Sequence, residues 1–402
     1  MTLNLAEIAE QVEMLGRQLA ERAGRQRQAL PALRALRSRY AHEGERLRAL
    51  AESPAGRDAD CAVPTEEPLD AVFAAPKPPE RATILAADGS QIYPDAHGWA
   101  LYYLINIGSL IYRHGSGQAP QASSDPTVAY AADGQGNPLT REQLNARRDV
   151  AELTKLADLA EAVAADGTVG AGVIALLDST IGLRAWAGAI PLGEQKALQQ
   201  RYAAQLERLR RAGAALAGVV SRSRRAGVVH LLDLAQQEEV ARNGASSSLS
   251  HNAPQGEVLP SPFRGLTDTH LWGDLKPGER SALFVEEKGG LRVYFFYLNT
   301  TPPGDRPEGE AEPARIEIPE WVACNEEQLH LVHALVYDQC CLNNGYPYAL
   351  SRADELAIIL NEEQEALETM LLQAMSRRGM PLPRLSPKAA QKRVVRAPFH
   401  RW

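Results

Sequence analysis

The chain has 402 residues, 45% of them hydrophobic and 23% charged, a composition typical of a globular protein with a sizeable core in one or two domains. Its net charge of −7 excludes a protein that binds duplex DNA over its whole surface, so any DNA contact must be local or supplied by a partner. There is no apolar run of about 18 residues, the N-terminal segment is acidic, and the four cysteines lack the spacing of a zinc site or a disulfide framework. These features predict a cytoplasmic protein that does not enter a membrane.

The N-terminal region is predicted to form a helical arm. Apolar residues recur at spacings of three and four from Leu5 to Leu19 and again from Leu33 to Leu50, with Pro31 between the two runs. This pattern predicts two amphipathic helices, or one kinked helix, in a hairpin or a coiled-coil arm. The arm would pack against the chain's own body, or against a second copy or another partner, and the sequence leaves both open.

The next segments are predicted to be a linker and then a group of strands. Residues 53–80 are rich in proline and polar residues, which indicates a linker without elements. A short apolar strand, Thr83–Ala87, follows and stops at Asp88. Residues 97–113 alternate aromatic and aliphatic side chains in the manner of two adjoining strands. Residues 113–138 are rich in glycine, serine, proline and aspartate, which predicts a surface loop.

The second half of the chain alternates predicted helices and strands. A helix over residues 139–165 starts with an approximate capping box formed by Thr140 and Gln143. A buried strand over Val173–Thr180 follows, and residues 243–262 have the composition of a loosely ordered segment. The remaining predicted elements are helices over 192–217, 326–340 and 351–375 and strands over 291–300 and 314–322.

Two of these strands carry an apolar run that stops at an aspartate followed by a small polar residue, Asp88 in ADGS and Asp178 in LDST. Acids at the carboxyl ends of adjacent buried strands converge at one edge of a sheet, where ligands of open α/β sheets bind. Two carboxylates held together repel each other unless a divalent cation lies between them, and such cations catalyse phosphodiester hydrolysis. The pattern indicates a metal site in an RNase H-like core. The same pattern also suits a phosphatase or a kinase-like ATPase, and Asp-Gly turns are common.

Glu152 lies on the predicted helix between the two strands, four residues after Arg148. Residues at this spacing share one face of a helix. The two side chains are predicted either to form a solvated ion pair or to place Glu152 over the sheet edge, where it would complete the acidic cluster.

Seven segments in order along the chain resemble the NurA nuclease family. They run from about Arg81 to about Glu368 and read DGSQIYP, RRDVAELTKL, LLDST, GERSALF, FFYLNT, RIEIPEWV and GYPYALSRADELAIIL. No single segment is specific to this family, but the occurrence of all seven in this order is specific. The resemblance implies an α/β fold, with an RNase H-like (PIWI-like) mixed sheet flanked by helices. It also implies a dimeric, manganese-dependent nuclease that resects DNA ends together with HerA, a hexameric ATP-driven translocase.

The same resemblance implies the ligands of the metal. The family's acidic ligands correspond to Asp88, Glu152 and Asp178. The last position, after GYP, is a histidine in many members, but here it is Asp354. Aspartate is a hard oxygen donor suited to Mn²⁺ or Mg²⁺, so we expect either an altered metal preference or weaker catalysis. His330 or His333 on a neighbouring helix could replace the missing ligand, although helical histidines are more often core or surface residues.

Two basic regions are candidates for contact with DNA. A cationic cluster matches a region that is also basic in NurA proteins, and the alternative is an ordinary exposed helix end. Its members are Arg222, Arg224 and Arg225, and Arg148 is a further candidate. Residues 376–402 contain eight Lys or Arg and no Asp or Glu. This tail would grip a DNA backbone, stack on a base or dock on an acidic partner.

These features predict four regions: a helical arm (1–52), a linker (53–80), an RNase H-like nuclease domain (81–375) and a basic tail (376–402). The predicted function is Mn²⁺-dependent hydrolysis of DNA, with Mg²⁺ as a possible substitute, of the 5′–3′ end-resection type. A homodimer would act with a HerA-type hexameric ATPase in DNA repair or phage defence. Asp354 also motivates an alternative, a weak or inactive scaffold that anchors or regulates the translocase.

Overall fold

The fold is that of a computed structural model, which describes residues 4–5, 7–95, 100–132, 136–167, 172–183, 190–242, 261–304 and 312–380. Within these ranges the helices are α1 (Ala9–Arg39), α2 (Gly44–Ala51), α3 (Pro54–Asp58), α4 (Arg141–Ala165), α5 (Leu192–Arg211), α6 (Gly227–Arg242), α7 (Asp268–Leu271), α8 (Glu320–Ala323), α9 (Glu326–Leu342), α10 (Tyr348–Ala357) and α11 (Asn361–Arg377). The strands are β1 (Val63–Pro64), β2 (Val72–Phe73), β3 (Ala82–Ile92), β4 (Tyr102–His114), β5 (Gln121–Tyr130), β6 (Val173–Leu177), β7 (Ala214–Val220), β8 (Arg280–Ser281), β9 (Phe284–Lys288), β10 (Leu291–Leu298) and β11 (Ala314–Pro319). Among the described helices, none has the length and apolar character that crossing a bilayer requires.

The chain folds into two compact units, each assembled from separate stretches of sequence. The first unit comprises 1–76, 219–287 and 292–320, and the second comprises 77–218, 288–291 and 321–402. The four regions expected from the sequence stay a prediction.

The core of the first unit packs the end of α1 and the helix α2 against α6 and the strands β9 and β10. Leu33, Tyr40 and Trp272 are completely buried in this core. The rings of Phe284 and Phe295 stack there with their centroids 5.5 Å apart. The long N-terminal helix is therefore anchored at its carboxyl end.

Two features of this unit bear on predictions made from the sequence. The first decides between one helix and two, and the second contradicts the predicted linker. Pro31 lies inside α1, so the chain forms one continuous helix there and not two. The expectation that residues 53–80 contain no elements is wrong, since they include α3, β1 and β2, and Leu69 is buried. The strands β1 and β2 pair with the distant strands β9 and β8. Such long-range pairing leaves no trace in local composition.

The second unit contains five strands that are hydrogen-bonded in the order β5-β4-β3-β6-β7. The strands β3, β4 and β5 form an antiparallel meander, whereas β6 runs parallel to β3 and β7 runs parallel to β6. Each parallel connection contains a helix, α4 before β6 and α5 before β7, as a parallel crossover requires. This order and these directions are those of an RNase H-like fold, which confirms the predicted fold class.

The meander differs in detail from the expectation. Asp88 lies inside β3 and not after it, although the pairing of β3 with β6 does stop at Ala87. Tyr102–His114 form one strand and not two. The predicted loop over 113–138 is wrong in part, because Gln121–Tyr130 form β5 at the edge of the sheet. The residues of this strand are mostly exposed, and about half of them are polar, so the strand lacks the buried apolar alternation that would predict it.

Two predicted helices differ from the expectation, one because it ends early and the other because it is divided. The helix α5 stops at Arg211, and Gly213 then adopts a φ of +75°, a conformation that suits glycine after a helix. The buried strand β7, rich in alanine, follows. The predicted helix over 351–375 is divided between α10 and α11. The capping box of Thr140 and Gln143 is confirmed. Residues 243–260 of the predicted loosely ordered segment lie outside the described residues, and so do residues 381–402 of the predicted basic tail.

Helices cover both faces of this sheet, and two glycines show which helix lies on which face. Gly108 of β4 pairs with Asp88, and a methyl group on Gly108 would lie 2.1 Å from the carbonyl oxygen of Ala353 in α10. Gly89 is the next residue along β3 and faces the opposite side. A methyl group on Gly89 would lie 2.7 Å from Oε1 of Glu152 in α4. The helices α10 and α4 therefore lie on opposite faces of the sheet.

Replacing Gly108 by alanine is expected to destabilise the protein by about 1–3 kcal/mol, because the backbone of α10 must move to make room. The matched control is Gly193→Ala at the start of α5, where a methyl group meets nothing within 4 Å. Urea unfolding of both variants is the measurement. Equal midpoints would contradict direct packing of α10 on β4.

Candidate active site

Asp88 and Asp178 lie side by side at the carboxyl end of the parallel pair β3 and β6. The last paired residues are Ala87 and Leu177, so each aspartate is the next residue on its strand. Adjacent strands are about 4.8 Å apart, and side chains at matching positions point to the same face. The structure thus brings these two carboxylates together, and the charge of Asp178 raises the pKa of Asp88.

A third carboxylate, that of Asp354, reaches the pair from α10. It is in hydrogen-bonding contact with Asp88, and its charge raises the pKa of Asp178. The end of α10 is fixed to the sheet, because Asn106 Nδ2 donates to the carbonyl oxygens of Leu356 at 3.1 Å and Ala357 at 3.0 Å. The helix therefore holds Asp354 over the ends of the two strands.

Burial and like charge together raise the pKa of Asp88 to about 6. Burial is the largest cause, and the hydrogen bond with Asp354 and the charges of Asp178 and Asp354 raise the pKa further. The N–H of Gly89, which donates to Asp88 Oδ1 at 2.8 Å, acts in the opposite direction. A hydrogen bond between two carboxyl groups needs a proton, which lowers the repulsion that a cation would otherwise remove.

Tyr346 is a member of this site that sequence reasoning missed. Burial raises the pKa of Asp178, and the Tyr346 hydroxyl, which donates a hydrogen bond to this carboxylate, lowers it. The pKa of Tyr346 itself is raised, by burial and then by Asp178, so the hydroxyl keeps its proton and remains a donor. Its place in the GYP segment, eight residues before Asp354, is the signal that could have identified it.

Glu152 approaches the site from the other face of the sheet. It is 5% exposed, and Gly89 leaves room for it because it has no side chain. Its Oε1 is buried and lies 3.1 Å from Nε of Arg148, without the geometry of a hydrogen bond. Burial raises the pKa of Glu152 well above its usual value, and Arg148 partly opposes this. The expected ion pair is thus present, but its carboxylate is buried, while the side chain of Arg148 is 29% exposed.

Arg148 contacts three side chains at once. Besides Glu152, it donates from Nη1 to Gln91 Oε1 at 3.1 Å and from Nη2 to Asp149 Oδ1 at 3.1 Å. These contacts use one N–H of Nη1 and one of Nη2, and a guanidinium has five N–H donors. A role for Arg148 in DNA contact stays a prediction.

A cavity of about 70 Å³ lies on this side of the sheet, between α4 and the segment after β6. Glu152, Ser179 and Thr180 are among the residues that line it. Glu152 therefore borders the same space as the residues that directly follow Asp178.

The arginine cluster predicted to contact phosphates belongs to the first unit, whereas the four acids belong to the second. Arg225 Nη1 donates to Asp60 Oδ2 at 3.0 Å, and Arg222 Nε lies 3.9 Å from a carboxylate oxygen of Glu312. Arg224 is exposed. Two of the three are thus already near an acid, and their role in DNA contact stays a prediction.

Among the residues that the structure describes, no group of three or more His, Cys, Asp or Glu side chains has the geometry to hold a metal ion. That includes the alternative ligands His330 and His333. Asp88 and Asp354 are instead in hydrogen-bonding contact with each other. The chemistry of the donor set nevertheless fits a hard divalent cation, since three carboxylates converge and like charge raises the pKa of Asp88 and of Asp178. Cation binding would compete with protonation of Asp88, whose pKa is raised to about 6.

Comparison with known proteins identifies a family. The sequence profile of the NurA domain matches residues 82–359. Among solved structures, the chain is similar to the NurA nuclease from Sulfolobus solfataricus, with 11% identity over 77% of this chain and 87% of that chain and a TM-score of 0.45. It is also similar to the catalytic domain of human endonuclease V, with 14% identity over 83% of this chain and 96% of that chain and a TM-score of 0.33. Endonuclease V from Ciona intestinalis, solved with an inosine-containing DNA, has 11% identity over 72% of this chain and 87% of that chain and a TM-score of 0.30.

Such low identities and TM-scores carry no argument about what this chain does. Comparison with curated proteins gives no match. The profile match is different in kind, because it covers more than half of the 402 residues and includes the strands β3 to β7 and the helix α10. The chain belongs to the NurA domain family.

Proposed function

We propose that this protein is a metal-dependent nuclease that hydrolyses phosphodiester bonds in DNA. The observation that supports the proposal most is the meeting of Asp88, Asp178 and Asp354 at the carboxyl edge of an RNase H-like sheet. The three residues come from separate elements and share one face. Such a cluster of carboxylates is unfavourable unless it binds a cation or shares protons.

Each residue of the site has a role in this proposal. Asp88, Asp178 and Asp354 would hold Mn²⁺ or Mg²⁺ through their oxygens. When bound, such a cation activates water and stabilises the charge on the leaving oxygen. Tyr346 orients Asp178 and favours its ionised form through the hydrogen bond. Glu152, whose Oε1 contacts Arg148, would become a ligand through its other oxygen or by exchanging this contact.

Asp354 gives this chain a harder donor set than the histidine found in many NurA proteins. A carboxylate favours Mn²⁺ or Mg²⁺, whereas imidazole also suits softer cations such as Zn²⁺. We therefore propose that the chain is active, but with fewer kinds of divalent cation than NurA proteins that have a histidine at this position.

We further propose that the protein works as a homodimer beside a HerA-type hexameric ATPase, in 5′–3′ resection of DNA ends during repair or phage defence. Membership of the NurA family supports these partners. The net charge of −7 supports a translocase that delivers the DNA, because the chain's own surface does not attract a duplex.

The test is cleavage of linear DNA by the purified chain, alone and with a HerA-type ATPase and ATP, in Mn²⁺, Mg²⁺, Zn²⁺ or EDTA. We expect cleavage in Mn²⁺ that EDTA abolishes. The variant Asp354→His restores the residue common in the family, and we expect it to broaden the choice of metal. Cleavage in none of the mixtures would contradict the proposal and favour the scaffold.

Replacing Tyr346 by phenylalanine is expected to lower the cleavage rate by about 10- to 100-fold, the usual cost of losing a partner of a metal ligand. Since the Tyr346 hydroxyl lowers the pKa of Asp178, its loss should raise that pKa. The acidic limb of the pH–rate profile should therefore move to higher pH. Tyr348→Phe, which keeps the ring that contacts Tyr112, is the control and should leave both unchanged. An unaltered rate and profile for Tyr346→Phe would contradict the role given to this hydroxyl.

A further inference from the structure

The first half of α1 projects as an exposed helix. Every residue from Ala9 to Ala23 is exposed. Contact with the rest of the first unit begins near Gln26, because the Gln26 side chain donates a hydrogen bond to the carbonyl oxygen of Gly265. Large apolar side chains are among the exposed ones, with Val12 at 57%, Leu15 at 53% and Leu19 at 56%. A contiguous apolar stripe of this kind marks a surface that binds something.

The spacing of the stripe indicates what it binds. Its members, with alternating spacings of three and four, are Leu5 and Ile8, which precede the first residue of α1, and Val12, Leu15 and Leu19 within the helix. Apolar residues with an average period of 3.5 form the contact line of a coiled coil. This line keeps facing the partner helix because the two helices supercoil around each other. A helix that packs on a globular body shows a wider stripe with a period of 3.6. The fitting partner is therefore a helix.

The charges along the arm favour a copy of the arm itself. Residues 4–15 contain three glutamates and no Lys or Arg, whereas residues 16–27 contain four arginines and one glutamate. Two parallel copies would place the acidic halves together and the basic halves together. Two antiparallel copies, in the register given below, place residues 4–11, with two glutamates, beside residues 16–23 of the other copy, with two arginines and one glutamate.

We propose that α1 pairs with the α1 helix of a second copy of this chain as an antiparallel two-helix coiled coil. In the best register Ile8 lies opposite Leu19 of the partner subunit, and Val12 lies opposite Leu15 of the partner subunit. The arm precedes residues 82–359, so this contact is additional to the NurA domain. The inference rests on the pairing of two copies in the proposed function, but not on nuclease activity.

Sedimentation equilibrium of the full-length chain, without DNA or metal, tests the arm. We expect Leu15→Glu to weaken self-association by at least about 100-fold, because it buries an unpaired charge at two symmetry-related positions. Met14→Glu is the matched control, since Met14 is adjacent, 59% exposed and outside the stripe. Its association should equal that of the wild type. Equal association constants for the two variants would overturn the proposal, whatever a nuclease assay gives.

Disulfide cross-linking tests the direction of the pairing. In a background where the exposed Cys324 and Cys341 are replaced by serine, the double variant Ile8→Cys/Leu19→Cys should form a covalent dimer under mild oxidation. The single variant Ile8→Cys should stay monomeric on a non-reducing gel, because residue 19 and not residue 8 lies opposite. A covalent dimer of the single variant would show a parallel pair and overturn the antiparallel arrangement.

Discussion

Replacing Asp88 by asparagine is expected to reduce cation-dependent DNA cleavage by at least about 100-fold, because a direct ligand contributes no less than a residue that merely orients one. Asparagine keeps the shape of the side chain but removes the charge that a divalent cation needs. The matched control is Asp166→Asn at the end of α4, an exposed aspartate outside the cluster, which should cleave at the wild-type rate.

The same substitution should make the metal-free protein more stable at neutral pH. The pKa of Asp88 is raised to about 6, chiefly by burial, so the ionised form of this residue destabilises the folded chain at pH 7. We therefore expect Asp88→Asn to raise the Tm while activity is lost. If Asp88→Asn loses activity and also has a lower Tm than the wild type, Asp88 instead stabilises the fold.

The second large effect is expected at Asp268, a completely buried carboxylate in the first unit. Its Oδ1 accepts hydrogen bonds from the backbone N–H groups of Val228 and Val229, both at 3.0 Å, and its Oδ2 accepts one from the Tyr297 hydroxyl at 2.9 Å. Asp268→Ala leaves these three buried donors without a partner and should lower the free energy of unfolding by about 3–5 kcal/mol. Asp268→Asn keeps an acceptor for the two N–H groups and should cost much less. Similar losses for the two variants in urea unfolding would contradict this account.

Asp268 also predicts how stability depends on pH. Burial raises its pKa to about 6, whereas the pKa of an aspartate in the unfolded chain is about 4. Between these values the folded chain binds more protons than the unfolded chain, so the contribution of this residue to stability falls as the pH rises from about 4 to about 6. Unfolding measured across this window should show a shallower fall for Asp268→Asn than for the wild type. Parallel curves would mean that Asp268 does not titrate there.

The sequence was sufficient to predict the elements whose periodicity is local. The helix α4 with its capping box and the buried strand β6 follow from apolar spacing and one Thr–Gln pair. The acids Asp88 and Asp178 were identifiable because an apolar run stops at each of them. These signals arise within a few residues of one another.

The rest depends on contacts between distant residues. The edge strand β5 is exposed along most of its length, and only its pairing with β4 defines it. The hydrogen bond from Tyr346 to Asp178 joins residues 168 positions apart, and no spacing rule predicts it. Glu152 was expected either in an ion pair or near the acids. The structure shows that burial beneath Gly89 makes the ion pair and the approach to the site compatible.

Anomalous diffraction from crystals of the full chain soaked in Mn²⁺ tests the central claim most directly, because it locates the ion without reference to activity. We predict a manganese peak bound by oxygens of Asp88 and Asp178, with Asp354 turned away from its contact with Asp88 and toward the ion. A peak elsewhere in the molecule, or none at a concentration that supports cleavage, would contradict a catalytic metal site at this edge of the sheet.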